Sequence, residues 1–150
     1  MARILTSLSW VFGTLALIMA VMYPYVINMV VVQPARQELQ SLVNTVVKAQ
    51  LIHFSENKRY VYFAPDPVQV NRAQRDLKGI QIDAPSFSVE AFGSLNTPLI
   101  VRATTRSTAM NQDGIPPLMY KYTIPKGAAV GQGEWVQLSG EEPGLLSGLF

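Results

Sequence analysis

The chain has no cysteine and a single histidine, His53, among 150 residues. Without cysteine there is no disulfide framework, no thiolate metal site, no covalently attached c-type haem and no catalytic thiol. One histidine rules out a histidine-based metal site, and a catalytic triad built on it has no recognisable partner. His53 lies beside an apolar helical stripe, where packing or helix-surface duty is the ordinary role. Asp66, Asp76 and Asp83 lack the spacing of a metal loop. The glycines from Gly127 to Gly133 lack the Lys-Ser/Thr ending of a phosphate cradle. No basic cluster exceeds Lys58-Arg59, and a net charge of +2 gives no argument for nucleic acid. No catalytic, cofactor-binding or metal-ligating residue is expected, nor a small-molecule substrate.

Charge is the next scarcity. Only 15% of residues are charged, against 49% hydrophobic. From Ile4 to Ala35 there is no charge at all, and Asn28 alone is strongly polar between Leu15 and Val32. A helix rising about 1.5 Å per residue crosses a hydrocarbon core with roughly 20 such residues. The run is longer than the ~7–15-residue apolar region of a cleaved secretory signal. A retained signal-anchor over residues 1–33 is therefore expected, with residues 34–150 as an extramembrane head. The head is long enough for one compact domain. A short N-terminal tail favours the N-terminus inside and the head outside, although the flanking charges (Arg3 against Arg36 and Lys48) are nearly balanced. Trp10 marks one interface, and Tyr23 and Tyr25 the other. Pro24 lacks an amide hydrogen and should kink the helix; Asn28 needs a polar partner in lipid. Either both lie near the membrane boundary, or this face docks on another membrane protein.

After Pro34 the pattern becomes amphipathic. Ala35, Leu39, Leu42, Val43, Val46 and Val47 recur at three- and four-residue spacings, continuing to Leu51, Ile52 and Phe54. Gln37, Glu38, Gln40, Ser41, Asn44, Lys48 and Gln50 fill the other face. Beyond Pro65-Asp66-Pro67, residues 68–77 read as a short helix ended by Lys78-Gly79. Strand signals follow at 86–91, 99–105, 118–124 and 134–138, with a turn at Asn111-Gln112-Asp113-Gly114. Tyr60-Val61-Tyr62-Phe63 reads as a buried strand entered through Lys58-Arg59, unless those two cations form a docking patch. The short connections imply an antiparallel meander with one face under the helix. The fold class is α+β: a long N-terminal helix, half transmembrane and half amphipathic, packed on a four-stranded antiparallel sheet.

This plan resembles the type IV pilins and the pseudopilins of type II secretion. Gly13-Thr14-Leu15-Ala16-Leu17-Ile18 resembles the start of a mature pilin, and Pro34 falls about where such helices carry a proline. Ala49-Gln50 through Asn57-Lys58-Arg59-Tyr60 resembles the end of the pilin helix. Tyr120-Lys121-Tyr122-Thr123-Ile124 with Gly133-Glu134-Trp135 resembles the closing hairpin. Two features of the family are missing. Thr14 stands where a phenylalanine-type residue follows the cleavage glycine, and neither Leu17 nor Ile18 supplies the helix glutamate that pairs with a neighbour's amine. The resemblance thus implies a pilin-type scaffold kept as a permanent single-pass protein of the bacterial cytoplasmic membrane, its head periplasmic.

Two functions fit. One is a non-catalytic accessory subunit, docked through its transmembrane helix on a larger membrane complex such as a photosynthetic reaction-centre–antenna or respiratory complex. The other is a non-standard minor pilin or pseudopilin. Candidate docking residues are Trp10, Tyr23, Pro24 and Asn28 in the membrane, and Lys58, Arg59, Leu149 and Phe150 on the head. The ending Leu145 to Phe150 is too apolar for a free tail.

Overall fold

The structure, a computed structural model, describes residues 2–95, 97–128 and 132–139, with side chains described between residues 12 and 136. It falls into two compact units, Met1–Pro34 and Ala35–Phe150.

The first unit is helical. α1 spans Ala2–Ile27, a π-helical turn spans Asn28–Val32, and α2 begins at Gln33 and runs to Asn57. Pro24 lies inside α1 without ending it. The departure from α geometry comes four residues later, where the Gln33 N–H bonds the Asn28 carbonyl across five residues. Pro34 supplies the reason. It has no N–H, and its ring presses on the carbonyl four residues back, so a turn widened by one residue makes room for it.

The second unit is the head. α2 buries Ala35, Leu39, Val43, Val46 and Val47, and the same side carries Gln50 and His53. These positions advance by three or four, so they form one stripe down the helix. Gln50 was expected on the polar face and Ile52 on the apolar one. Gln50 is fully buried, whereas Ile52 is about half exposed. The stripe at 43, 46, 50 and 53 follows helical geometry in preference to residue polarity.

α3 spans Pro67–Asp76. Asp66 caps it, its carboxylate accepting from the Gln69 N–H at 3.2 Å. Pro67 follows at the first helical position, where a missing N–H costs nothing. The helix closes as Lys78 and Gly79 turn to positive φ and the Gly79 N–H bonds the Gln74 carbonyl.

The sheet comprises β1 (Phe87–Ser94), β2 (Thr97–Thr105), β3 (Leu118–Ile124) and β4 (Glu134–Ser139). Neighbours in sequence are neighbours in space, in the order β1-β2-β3-β4, and all pairs are antiparallel. The α+β plan read from the sequence is therefore present: a long N-terminal helix and a four-stranded antiparallel meander. A short helix, α4 (Ser107–Gln112), occupies the β2–β3 connection. It went unforeseen, although its end at Asp113-Gly114, with Gly114 at φ 65°, coincides with the expected turn.

One sheet face carries the core. Phe87, Val89 and Ala91 of β1 lie opposite Thr105, Ala103 and Val101 of β2, and Leu99 opposite Ile124 of β3. All of these but Thr105 join the buried apolar residues of α2, Leu77 and Ile82 in one hydrophobic cluster. At its β4 margin Tyr122 is buried against Trp135, ring centroids 4.3 Å apart, and Tyr120 stacks on the same indole at 5.4 Å. Gly133 is required here. A Cβ on it would come within 2.1 Å of the Tyr122 ring.

Candidate functional site

The helix of the first unit is apolar on all sides. Every described side chain from Phe12 to Val30 is exposed, including Tyr23, Pro24 and Asn28. It is long and apolar enough to cross a membrane. Gly13, Ala16, Ala20 and Pro24 follow at spacings of three and four, with Asn28 next in register. At about 100° per residue these small residues share one side of α1, leaving a shallow face with an amide at its end. Of the residues named from sequence, Tyr23 flanks this face while Pro24 and Asn28 lie on it. Trp10 is in α1, but its side chain lies outside the described residues, as do Leu149 and Phe150.

The head's polar chemistry gathers where α2 ends. Lys58 leaves the helix with φ 56° while its N–H still bonds the Phe54 carbonyl at 2.8 Å. The next residues were expected to be a strand. They form instead a single bridge, Phe63 with Ala91 of β1, both N–H···O contacts at 2.9 Å. Two residues earlier, the buried Gln50 amide takes the place of a second strand. Its Nε2 donates to the Val61 carbonyl at 2.6 Å, and its Oε1 accepts the Val61 N–H at 2.9 Å. A side chain thus reproduces a backbone pairing, which explains why an amide is kept in the core.

The segment from Arg59 to Tyr62, the end of α2 and one side of α3 enclose a cleft of about 660 Å³. Its lining includes His53, Arg59, Tyr60, Gln69, Arg72 and Asp76. Gln69 is held by its Oε1, which accepts the Ala64 N–H at 3.0 Å, leaving its amide hydrogens turned away from that bond. Tyr60 stacks on Phe54 with centroids 4.5 Å apart. Burial pushes its phenol above the usual tyrosine value, and the neighbouring Tyr122 and Tyr62 add to the effect. The hydroxyl is therefore a neutral donor at any physiological pH. Arg59 and Arg72 have no ion-pair partner among the described residues.

His53 is about nine-tenths buried. Asn57 Nδ2 donates to the His53 carbonyl at 3.2 Å and lies 3.3 Å from His53 Nδ1. A nitrogen already donating to a carbonyl is the amide NH₂, so Nδ1 accepts and the neutral ring carries its proton on Nε2. That Nε2 is buried and has no partner among the described residues. Packing, the ordinary role, accounts for the ring but not for this unpaired donor.

Of the two cations named from sequence, Arg59 lines the cleft and Lys58 does not. Arg72, Gln69 and Tyr60 were missed as a group, because nothing in linear spacing joins α3 to the end of α2. Among the described residues no group of three or more His, Asp or Glu could hold a metal ion. No family model, curated protein or solved structure matches the chain.

Proposed function

We propose that this chain is a non-catalytic accessory subunit, held in a membrane by α1 and docked through that helix on a larger membrane-protein complex, which its head braces. The observation that carries the reading is the exposure of α1. Thirteen large apolar or aromatic side chains between Phe12 and Val30 are exposed. At about 1.5–3 kcal/mol for each such side chain buried, leaving them in water forgoes roughly 20 kcal/mol or more. Lipid satisfies most of that surface. It does not satisfy Asn28, and it gains little from the small-residue side of Gly13, Ala16 and Ala20, which suits close approach of a second helix. A pigment- or haem-bearing assembly of the photosynthetic or respiratory kind is a natural host for such a subunit.

The test is purification from native membranes in mild detergent, with identification of the co-migrating proteins. Recovery with pigment- or haem-bearing subunits is expected. An Asn28→Leu variant should be recovered with the same partners at least about fivefold less efficiently, the effect of roughly 1 kcal/mol of lost interhelical hydrogen bonding. Unchanged recovery sinks the docking face.

The second reading, a non-standard minor pilin or pseudopilin, is favoured by the order of elements: a long helix followed by a sequential four-stranded antiparallel meander. It requires recovery with a pilus or secretion platform, or a mature N-terminus near Thr14. Either result displaces the first reading.

A further inference from the structure

We propose that the cleft at the end of α2 is an oxyanion site, built to hold a phosphate or carboxylate group. Two independent observations converge on it. The first is its charge. Arg59 and Arg72, on different elements, both line the cleft, and neither has an ion-pair partner among the described residues. Asp76 is the one carboxylate in the lining, so the cleft carries net positive charge. The second is the buried imidazole. His53 belongs to the same lining, and its Nε2, sealed from solvent, has no hydrogen-bond partner among the described residues.

The remaining lining agrees with this. Tyr60 supplies a hydroxyl, and the free amide hydrogens of Gln69 add donors. Two guanidinium groups, a phenol and an amide thus belong to the lining of one cleft. Guanidinium forks match phosphate and carboxylate oxygens, and charge-assisted bonds to them are the stronger class. A cation would meet two arginines here, and an apolar ligand would strand all the donors. The volume, about 660 Å³, exceeds that of a bare ion, so the oxyanion is best carried by a small organic molecule.

The backbone around the cleft is tied at three points. Gln50 clamps Val61, the Phe63–Ala91 bridge ties the segment to β1, and Asp66 caps the helix that bears Arg72. The backbone that carries the lining residues is thus fixed before any ligand arrives, which lowers the entropy lost on binding.

The single histidine gives a direct readout. Full-length protein with ¹⁵N-labelled histidine, in uncharged detergent micelles, is titrated with inorganic phosphate and separately with citrate, at fixed pH and ionic strength against chloride. The expected result is a saturable shift of the His53 ring signals with at least one of the two anions. The apparent Kd should weaken at least about tenfold in Arg72→Gln and in Arg59→Gln, the size of one lost charge-assisted hydrogen bond. Lys126→Gln, which removes an exposed cation outside the cleft, should leave it unchanged. Both arginines are exposed, and an unaltered histidine spectrum without ligand checks that each variant keeps its fold. Saturation by phosphate alone identifies a phosphate site; saturation by citrate alone identifies a carboxylate site. Absence of a saturable shift with either anion, or equal weakening in Lys126→Gln, overturns the proposal. None of these outcomes depends on which proteins co-purify with the chain.

Discussion

At position 50 one amide, fully removed from solvent, pairs with both backbone groups of Val61. Replacing it by leucine keeps the volume and strands the partly buried N–H and C=O of Val61. Each stranded group costs about 1–3 kcal/mol. Gln50→Leu should therefore destabilise the head by about 2–4 kcal/mol in a denaturant titration; a loss under about 0.5 kcal/mol would show that Val61 finds other partners. Position 60 gives a second test at this scale. Burial first, and the Tyr122 and Tyr62 phenols after it, raise the Tyr60 pKa above its unfolded value of 10.0. The folded head then holds a proton that the unfolded chain releases. Its stabilising contribution is complete below about pH 10 and is lost as pH rises through the higher folded value. The unfolding midpoint should fall with alkaline pH, and Tyr60→Phe, which keeps the stacking on Phe54, should make that fall shallower. An identical slope in the variant would assign the alkaline loss elsewhere. Both residues show where sequence reading stops. The stripe at 43, 46, 50 and 53 is visible in the spacing, but polarity argued Gln50 and His53 off it. Only the fold shows that Val61 is waiting for an amide.

Among the elements, legibility follows the strength of the local signal. The strands at 86–91 and 118–124 alternate in polarity and that at 99–105 is rich in branched residues, all between turn residues, and the structure places the four strands within three residues of expectation. α3 was read as starting at Val68 and begins at Pro67, since a proline after an N-cap aspartate belongs to the helix. Asp66→Ala should cost about 1 kcal/mol, seen as a lower urea midpoint of the head; Asp66→Asn should recover most of it, because the amide oxygen still accepts the Gln69 N–H. A full loss in Asp66→Asn would point to charge near the helix N-terminus as the active term. The segment 60–63 misled because it is rich in aromatic and branched residues, as strands are. It fails to become one because Gln50 occupies the place of a second neighbour, leaving a single bridge to β1. The π-turn at Asn28–Val32 was equally hidden. Pro34 announces a disturbance, but whether a helix answers by kinking, ending or widening depends on backbone accommodation that composition does not encode.

The two units differ in what satisfies them. Within Ala35–Phe150 the amphipathic α2 buries its apolar stripe in the head's own hydrophobic cluster, whose members include Val43, Phe87, Leu99 and Val101, each with no solvent exposure. Within Met1–Pro34, by contrast, no described side chain is buried. The head thus has the enclosed core that independent folding requires, while the helix of the first unit leaves its described apolar side chains uncovered. A chain shortened to residues 33–150 should therefore stay soluble without detergent and unfold in one cooperative transition, with the same denaturant midpoint as the head of the full chain. The cut is placed before Ala35 because that side chain is part of the core. The full chain should resist extraction from membranes by alkaline carbonate and need detergent for release. If the shortened chain aggregates or melts without cooperativity, the head depends on residues 1–32 for its fold, and α1 is more than an anchor. If it folds while the full chain washes off with carbonate, then α1 is covered by protein and not by lipid, and the proposed accessory role would rest on that protein contact alone.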